Sequence, residues 1–405
     1  MKVLLVNKFH YMKGGSETYY FALGNMLAAK GHEVIYFSMK DDRNLPCDQE
    51  KYFVENVDYN SDLGVKGTIK ASLDLLYNVQ AYKRFKQLLI DEKPDVIHLN
   101  IFQSQLTASI VDAAKELGVP MVYTAHDLKT VCPTYLMMNN GKICDRCLHG
   151  DYMYCIKSKC MKNSRAKSLL AVMESQVYRV RHTYEKLDAI ITPSQHHKRR
   201  LAEGGIQNKH VLYIPNFLPE GTVFENIEGK RDYILYFGRL SVEKGIMTLL
   251  RAYAKSKVTR PLYVVGTGPQ EQEIKDFVSE NQLQYRIKIL GFKSGEELRE
   301  VVSNALFICL PSECCENAPY SVMEAQSMGK PVIVSDNGGL PELVEEGVTG
   351  SIFKAGDVDL LAEKLEKMEN TAFDGTYIVK MAQKKYSCKN YVRKLEKLYR
   401  YVCEH

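Results

Sequence analysis

No run of 18 apolar residues occurs anywhere in the sequence, so no membrane-spanning helix is expected. The opening MKVLLVNKFH has too short an apolar core for a secretory signal and reads as a first strand. A cytoplasmic protein is the natural expectation. In that compartment the 11 cysteines are expected as reduced thiols or metal ligands, not as a disulfide framework. Short repeats and low-complexity tracts are missing. Gly14-Gly15 is not followed by the Gly-Lys-Ser/Thr of a P-loop, so nucleotide hydrolysis is not indicated. Gly266-Thr267-Gly268-Pro269 lacks the third glycine of a dinucleotide fingerprint, since Glu271 stands in its place, and this weakens any case for NAD. Basic excess is also missing from most of the chain. Residues 157–186 hold eight Lys or Arg against two Asp or Glu, which leaves 46 basic and 47 acidic residues elsewhere, a net of −1. The whole surplus behind the net charge of +5 therefore sits in one segment.

What is present is a soluble, globular balance, with 45% hydrophobic and 25% charged residues over 405 positions, enough for two or three domains. Apolar, β-branched runs alternate with helical patterns from end to end. In the first half they fall at 3–7, 33–38, 95–100, 120–124, 189–192 and 211–214. In the second half they fall at 233–237, 262–265, 287–290, 306–310, 332–335 and 351–353. Continuously apolar strands need helices on both faces. The expectation is therefore α/β: two Rossmann-like, doubly wound domains facing across a cleft at their carboxyl edges. The boundaries are set at 1–216, with a Cys-rich insertion at about 132–160, then 217–385, then a terminal helix at 386–405. Residues 41–68 are less regular and read as a loop or short hairpin. From 379 to 402, Tyr386, Tyr391, Leu395, Leu398 and Tyr399 predict one apolar helical stripe.

The stretch that organises the second half is LFICLPSECCENAPYSVMEAQSMGKPVIVSDNGGLPELVEEG, residues 306–347. A buried strand stops at Pro311. A loop follows, and Pro319 begins a helix that carries Val322, Met323, Ala325 and Met328 inward and ends at Gly329. Glu316 and Glu324 bracket the helix start. The amides of Ala318, Tyr320 and Ser321 are placed to face an anion. The carboxylates suit hydroxyl groups instead, and a nucleotide sugar offers both phosphates and hydroxyls.

Glu316-x7-Glu324, followed by GKPVIVSDNGGLPELVEEGVTG, resembles the donor-binding region of the retaining glycosyltransferase family 4. The chain departs from many members after the first glutamate, where it has Asn317-Ala318-Pro319 instead of Phe-Gly. Residues 237–245, FGRLSVEKG, match a second motif of the family. The resemblance implies the two-domain GT-B fold, with the last helix crossing back to the first domain. It implies that Gly238, Arg239 and Lys244 hold the donor diphosphate, Glu316 the sugar and Glu324 the ribose. It also places Gly266 and Phe292 near the base, Ala318 and Tyr320 at the donor, and Gly14 and Gly15 against the diphosphate and acceptor. His126 then reaches the donor sugar, with Asp127 as the candidate to orient its ring. His126, Arg239, Lys244 and Glu316 are the expected catalytic set. The activity implied is transfer of a sugar from a nucleoside diphosphate sugar, UDP- or GDP-linked, to the hydroxyl of a glycan or lipid-linked acceptor, as in surface polysaccharide synthesis. The competing readings are a sugar-nucleotide epimerase, a glycogen-synthase-like or sucrose-type transferase that differs in acceptor, and a non-catalytic sugar-nucleotide-binding module.

Asp357-Val358-Asp359 starts a helix, where aspartates cap orphan amides, so metal-independent catalysis is expected. Cys144-x2-Cys147 with Cys155 and Cys160 has the spacing of a structural zinc site. Cys132 and His149 are alternative ligands, and free thiols or disulfides are the rival readings. In the basic segment Leu169, Val172, Met173, Val177, Val180, Tyr184 and Leu187 recur at helical spacing. A solvated core helix explains part of this, and attraction to the anionic inner face of a membrane explains the charge. No nucleic-acid motif accompanies the charge, and no nucleic-acid partner is expected.

Overall fold

A computed structural model of the chain describes residues 1–56, 64–139 and 141–405, with the backbone alone for 64–69. The chain divides into two compact units. The first is Met1–Met137, Cys144–Glu220 and Cys388–His405; the second is Met138–Ile143 and Gly221–Ser387. The division after Glu220 lies four residues beyond the boundary expected at 216.

The first unit is built on β1 (Lys2–Val6), β2 (Glu33–Phe37), β3 (Val96–Leu99) and β4 (Met121–Thr124). A hairpin of two-residue strands, β5 (Met138–Asn139) and β6 (Lys142–Ile143), follows, and groups with the second unit although it lies inside the expected Cys-rich insertion. β7 (Ala189–Thr192) and β8 (Val211–Tyr213) complete the first sheet, in the order β2-β1-β3-β4-β7-β8. Every pair in it is parallel. β3, β4 and β7 are buried along their whole length, as apolar strands covered on both faces must be.

The second unit holds β9 (Tyr233–Phe237), β10 (Leu262–Val265), β11 (Ile287–Gly291), β12 (Ala305–Leu310), β13 (Val332–Ser335) and β14 (Gly350–Phe353). The order is β11-β10-β9-β12-β13-β14, again all parallel. Strand order reverses between β1 and β3 in one sheet and between β9 and β12 in the other. In such sheets ligands bind off the carboxyl ends at that reversal.

The terminal stripe is two helices, not one. Ser387, extended at φ −59° and ψ 125°, breaks Gly375–Tyr386 from Cys388–Glu404. Tyr386 therefore stays in the second unit, where its hydroxyl donates to Gln326. Tyr391, Leu395 and Tyr399 belong to the first unit, where they are buried. The return of the last helix to the first unit thus begins at Cys388.

Within 41–68, a 3-10 turn at Glu50–Tyr52 and a bridge between Met39 and Val54 precede a helix at Gly64–Leu76. The rest of that stretch, 57–63, lies outside the described residues. The basic helix is Arg165–Val180. It stops before Tyr184 and Leu187, because His182 takes a left-handed backbone, φ 51°.

Candidate active site

In the second unit the loops after β9 and β12 meet at the point of strand reversal. Backbone bonds join them: the amides of Glu313 and Cys314 both donate to the Glu243 carbonyl, at 2.9 and 3.3 Å. Lys244 closes the 3-10 turn Val242–Lys244, and Glu316 lies in the loop that leads to the helix Tyr320–Ser327. The Lys244 Nζ and Glu316 Oε1 are 2.5 Å apart. Ser312 Oγ donates to the same carboxylate oxygen at 2.7 Å. The Glu316 side chain is only 11% exposed. Burial alone would pull the Lys244 ammonium down, but the charge and hydrogen bond of Glu316 outweigh it and hold Lys244 above the ordinary lysine value.

Glu324 sits on the second turn of that helix. Burial pushes its carboxyl up to about 7. A carboxyl whose charge burial disfavours is poised to accept hydrogen bonds that a ligand brings with it.

Close backbone approach shapes the rest. Gly266 has φ +133°, and a Cβ there would stand 1.9 Å from the Gly238 carbonyl oxygen. Only glycine lets the loops after β9 and β10 pack this tightly. Arg239 follows Gly238, and its carbonyl accepts from the Tyr236 hydroxyl at 2.7 Å. Phe292, just past β11, is 70% exposed, so it does not fill the core. Pro319 is the N-cap of the helix that Tyr320 begins, and Ala318 is buried just before it. The helix ends at Ser327, and Gly329 follows with a left-handed φ of 72°.

In the first unit Gly14 is the extended N-cap of the helix Gly15–Ala29. His126 follows β4, and its Nε2 bonds Asn100 Oδ1 at 2.9 Å. Burial pushes its imidazole down to about 3, so it is neutral. Asp127 instead accepts from the Lys129 amide at 2.9 Å. Asn100, which follows β3, thus bonds the ring, and no motif in the sequence pointed to it. The surrounding buried charges were also missed. Lys129 and Glu174 pair at 2.8 Å with side chains 9% and 2% exposed, and Ser104 donates to Glu174 at 3.1 Å. Burial raises the Asp127 carboxyl and lowers the Lys8 ammonium.

Asp357 caps its helix by accepting from the Leu360 amide at 2.9 Å, and Asp359 pairs with Lys255 at 2.6 Å. The His149 side chain is 69% exposed, and its Nε2 lies 3.9 Å from Asp145 Oδ2. Cys132, Cys144, Cys147, Cys155 and Cys160 are all free, with Cys132 and Cys155 buried and the other three half-buried. Among the described residues no three His, Cys, Asp or Glu side chains stand ready-made around a metal position.

Comparison with known proteins decides what this arrangement belongs to. Residues 13–220 match the family model described as Glycosyltransferase Family 4, and residues 222–386 match that of Glycosyl transferases group 1. The chain belongs to this glycosyltransferase family. Among curated relatives, the amylovoran biosynthesis glycosyltransferase AmsK of Erwinia amylovora is 30% identical over 38% of this chain and 39% of its own length. A putative colanic acid biosynthesis glycosyltransferase, WcaL of Salmonella typhimurium, is 29% identical over 34% and 36%. The chain thus spans less than half the length of these relatives. Solved structures cover almost all of it. Sucrose-phosphate synthase from Thermosynechococcus elongatus aligns over 99% of this chain and 98% of its own, with TM-score 0.69 and 21% identity. HepE of Anabaena, in complex with UDP and glucose, aligns over 98% and 99%, with TM-score 0.69 and 17% identity. The chain has the GT-B fold.

Proposed function

We propose that this glycosyltransferase moves a sugar from a nucleoside diphosphate sugar, with a UDP-sugar first among donors, to a hydroxyl of a surface polysaccharide or lipid-linked glycan, with retention at the anomeric carbon. The observation that carries the reading is the Lys244–Glu316 pair at the β9/β12 reversal, with Glu324 nearby in sequence on the following helix. Arg239 and Lys244 supply cations for a diphosphate whose charge grows as the sugar leaves. Glu324 accepts from the ribose hydroxyls, and Glu316 from the sugar.

Lys244 and Ser312 both bond Oε1 of Glu316 and hold that side chain in place for the sugar. The acceptor oxygen attacks from the face that the diphosphate leaves. The anomeric carbon–oxygen bond breaks with its electron pair on the phosphate oxygen. That oxygen then takes the acceptor's proton, giving a glycoside and a free nucleoside diphosphate. The HepE complexes support a uridine donor, and the names of AmsK and WcaL support a polysaccharide acceptor.

A peripheral place on an anionic membrane fits the basic helix. Leu169, Met173 and Val180 are exposed on it at 47%, 44% and 75%, on a helix whose basic residues are Arg165 and Lys167 in the first turn and Arg179 in the last. Among the described residues no helix is long and apolar enough to cross a membrane. Sedimentation with anionic vesicles tests this part separately.

The decisive experiment incubates the full chain with UDP-, GDP- and ADP-sugars and polyprenyl diphosphate-linked acceptors, and reads nucleotide release and product mass. Nuclear magnetic resonance of the product gives its anomeric configuration. Inversion sinks the retaining reading. Donor loss without any acceptor-linked product sinks transfer.

A further inference from the structure

Strand order in the first sheet reverses between β1 and β3, and the loops after β1, β3 and β4 leave the sheet side by side there. One side chain stitches the three together. Asn100, after β3, donates from Nδ2 to the Val6 carbonyl of β1 at 3.2 Å. That bond turns its Oδ1 towards His126, after β4, whose Nε2 lies 2.9 Å away. An amide oxygen only accepts, so Nε2 carries the ring proton. Where the ring points then depends on how the loops after β3 and β4 are held relative to each other.

Glu174 reaches both of those loops from outside. It stands on the helix Arg165–Val180, on the face that also buries Ala171 and Tyr178. Its two carboxylate oxygens are divided between the loops. Oε1 accepts from Ser104 Oγ, in the loop after β3, at 3.1 Å. Oε2 meets Lys129 Nζ, in the loop after β4, at 2.8 Å. The same ammonium donates to the Pro133 carbonyl at 2.6 Å and so closes the second loop on itself. The Lys129 amide donates to Asp127 Oδ1 at 2.9 Å, next to His126. Ser104 takes a left-handed backbone, φ 70°, which a serine adopts only against strain. The pair is almost dry, with side chains 9% and 2% exposed. So buried an ion pair is a weak source of stability, because well-packed apolar side chains of similar volume often serve as well or better. What apolar side chains cannot supply is a fixed length and direction at each oxygen.

We propose that Glu174 and Lys129 are positioning residues, which fix the loops after β3 and β4 against each other and so hold the Asn100–His126 bond and the His126 ring in place at the ligand-binding edge of the first unit. The effect on turnover rests on the sugar-transfer reading; the effect on the ring does not. Neither residue is assigned a contact with substrate. A misplacement of about 1 Å at a reacting centre costs on the order of 100-fold in rate, so a clamp remote from the chemistry can show in kcat.

The test uses the full chain. Glu174→Gln alone leaves the Lys129 ammonium buried without its charge partner and can unfold the protein. The decisive variant is therefore the double one, Lys129→Met with Glu174→Leu, which removes both charges at similar volume. Its melting temperature should stay within a few degrees of the wild type. In initial rates with a UDP-sugar and a polyprenyl diphosphate-linked acceptor, kcat is expected to fall about 100-fold. UDP affinity by calorimetry should not change, because the residues assigned to the diphosphate and ribose belong to the second unit. Asp112→Asn is the control: it breaks another ion pair of the first unit, with Lys186 at 2.6 Å, and should keep kcat. Magnetic resonance of isotope-labelled histidine gives a second reading that needs no acceptor. The His126 signal, identified by its loss in His126→Gln, should show the Nε2–H form in the wild type and a mixture of both neutral forms in the double variant. A folded double variant with wild-type kcat overturns the proposal, as does an unmoved His126 signal or a loss of UDP affinity that matches the loss of kcat. A double variant that melts far below the wild type makes the pair structural and overturns it too, as does an equal loss of kcat in Asp112→Asn. A wild type that transfers no sugar sinks the sugar-transfer reading instead, and the His126 signal then decides the positioning alone.

Discussion

The hydroxyl of Tyr399, five residues from the end of the last helix, meets Nδ1 of His98 in β3 at 2.5 Å. The other ring nitrogen of His98 bonds Thr124 Oγ1 in β4 at 2.8 Å. Tyr19 reaches the same threonine at 3.0 Å and also bonds the Tyr391 hydroxyl. A buried polar relay therefore ties the end of the chain to the middle of the first sheet. Burial pushes His98 down to about 3, so the ring is neutral and needs both partners.

Tyr399→Phe keeps the ring and strands Nδ1 of His98. The expected cost is about 1–3 kcal/mol, the usual penalty for orphaning a buried polar group. Urea unfolding of the full chain measures it, and an unchanged midpoint counts against the relay. The double variant with His98→Phe should recover part of the loss, since both polar partners then go together.

Lys244→Gln and Glu316→Gln separate binding from chemistry. Lys244→Gln removes a cation from the diphosphate, so UDP binding weakens and kcat falls by about 100-fold or more. Glu316→Gln changes UDP affinity little, because Glu316 is assigned to the sugar, but kcat falls similarly. Calorimetry with UDP and initial rates with the UDP-sugar distinguish the two. The double variant should lose far less than the product of the single losses, because the residues act as one pair.

Two glycines test how closely the donor loop is packed. Gly338 and Gly347 both have left-handed backbones, φ +65° and +75°. A Cβ at Gly338 would stand 2.2 Å from the Glu316 carbonyl oxygen, whereas at Gly347 nothing lies within 4 Å. Gly347→Ala should cost only the backbone strain, about 1–2 kcal/mol, with donor KM unchanged. Gly338→Ala must also displace the Glu316 loop, so donor KM should rise at least several-fold. Equal KM values for the two variants would remove the loop from the donor site.

Sequence pattern located all 12 parallel strands found among the described residues, because continuous apolar, β-branched runs have few other uses. It missed the hairpin β5–β6, whose two-residue strands carry no period. It merged the last two helices, since an apolar stripe continues across Ser387 and only the backbone there reveals the break. At the site, the motif residues Lys244 and Glu316 were legible as separate candidates. Their direct pairing was not, nor was the role of Ser312, since both depend on where two loops 72 residues apart meet. The same reason hid Asn100 behind His126: its partner lies on a neighbouring strand, 26 residues earlier.

Glu324 predicts how donor affinity follows pH. Its carboxyl titrates near 7 in the free protein because burial penalises the charge. Ribose hydroxyls donate hydrogen bonds, so the donor selects the ionised carboxylate. Below pH 7 a proton must first leave, and each unit of pH there costs up to about tenfold in affinity, or about 1.4 kcal/mol. UDP-sugar binding should therefore weaken from pH 8 to pH 6 and level off above 8. The effect on stability runs the other way. A raised carboxyl contributes stability that is whole below its unfolded value and is lost as pH rises through about 7, so the free protein should lose stability up to about pH 7, whereas the complex, which holds the carboxylate ionised, should change little over the same rise. Glu324→Gln should bind more weakly at pH 8 and show a nearly flat profile. Calorimetry with a UDP-sugar at pH 6, 7 and 8 decides it, and a wild-type profile as flat as that of the variant would take the ribose away from Glu324.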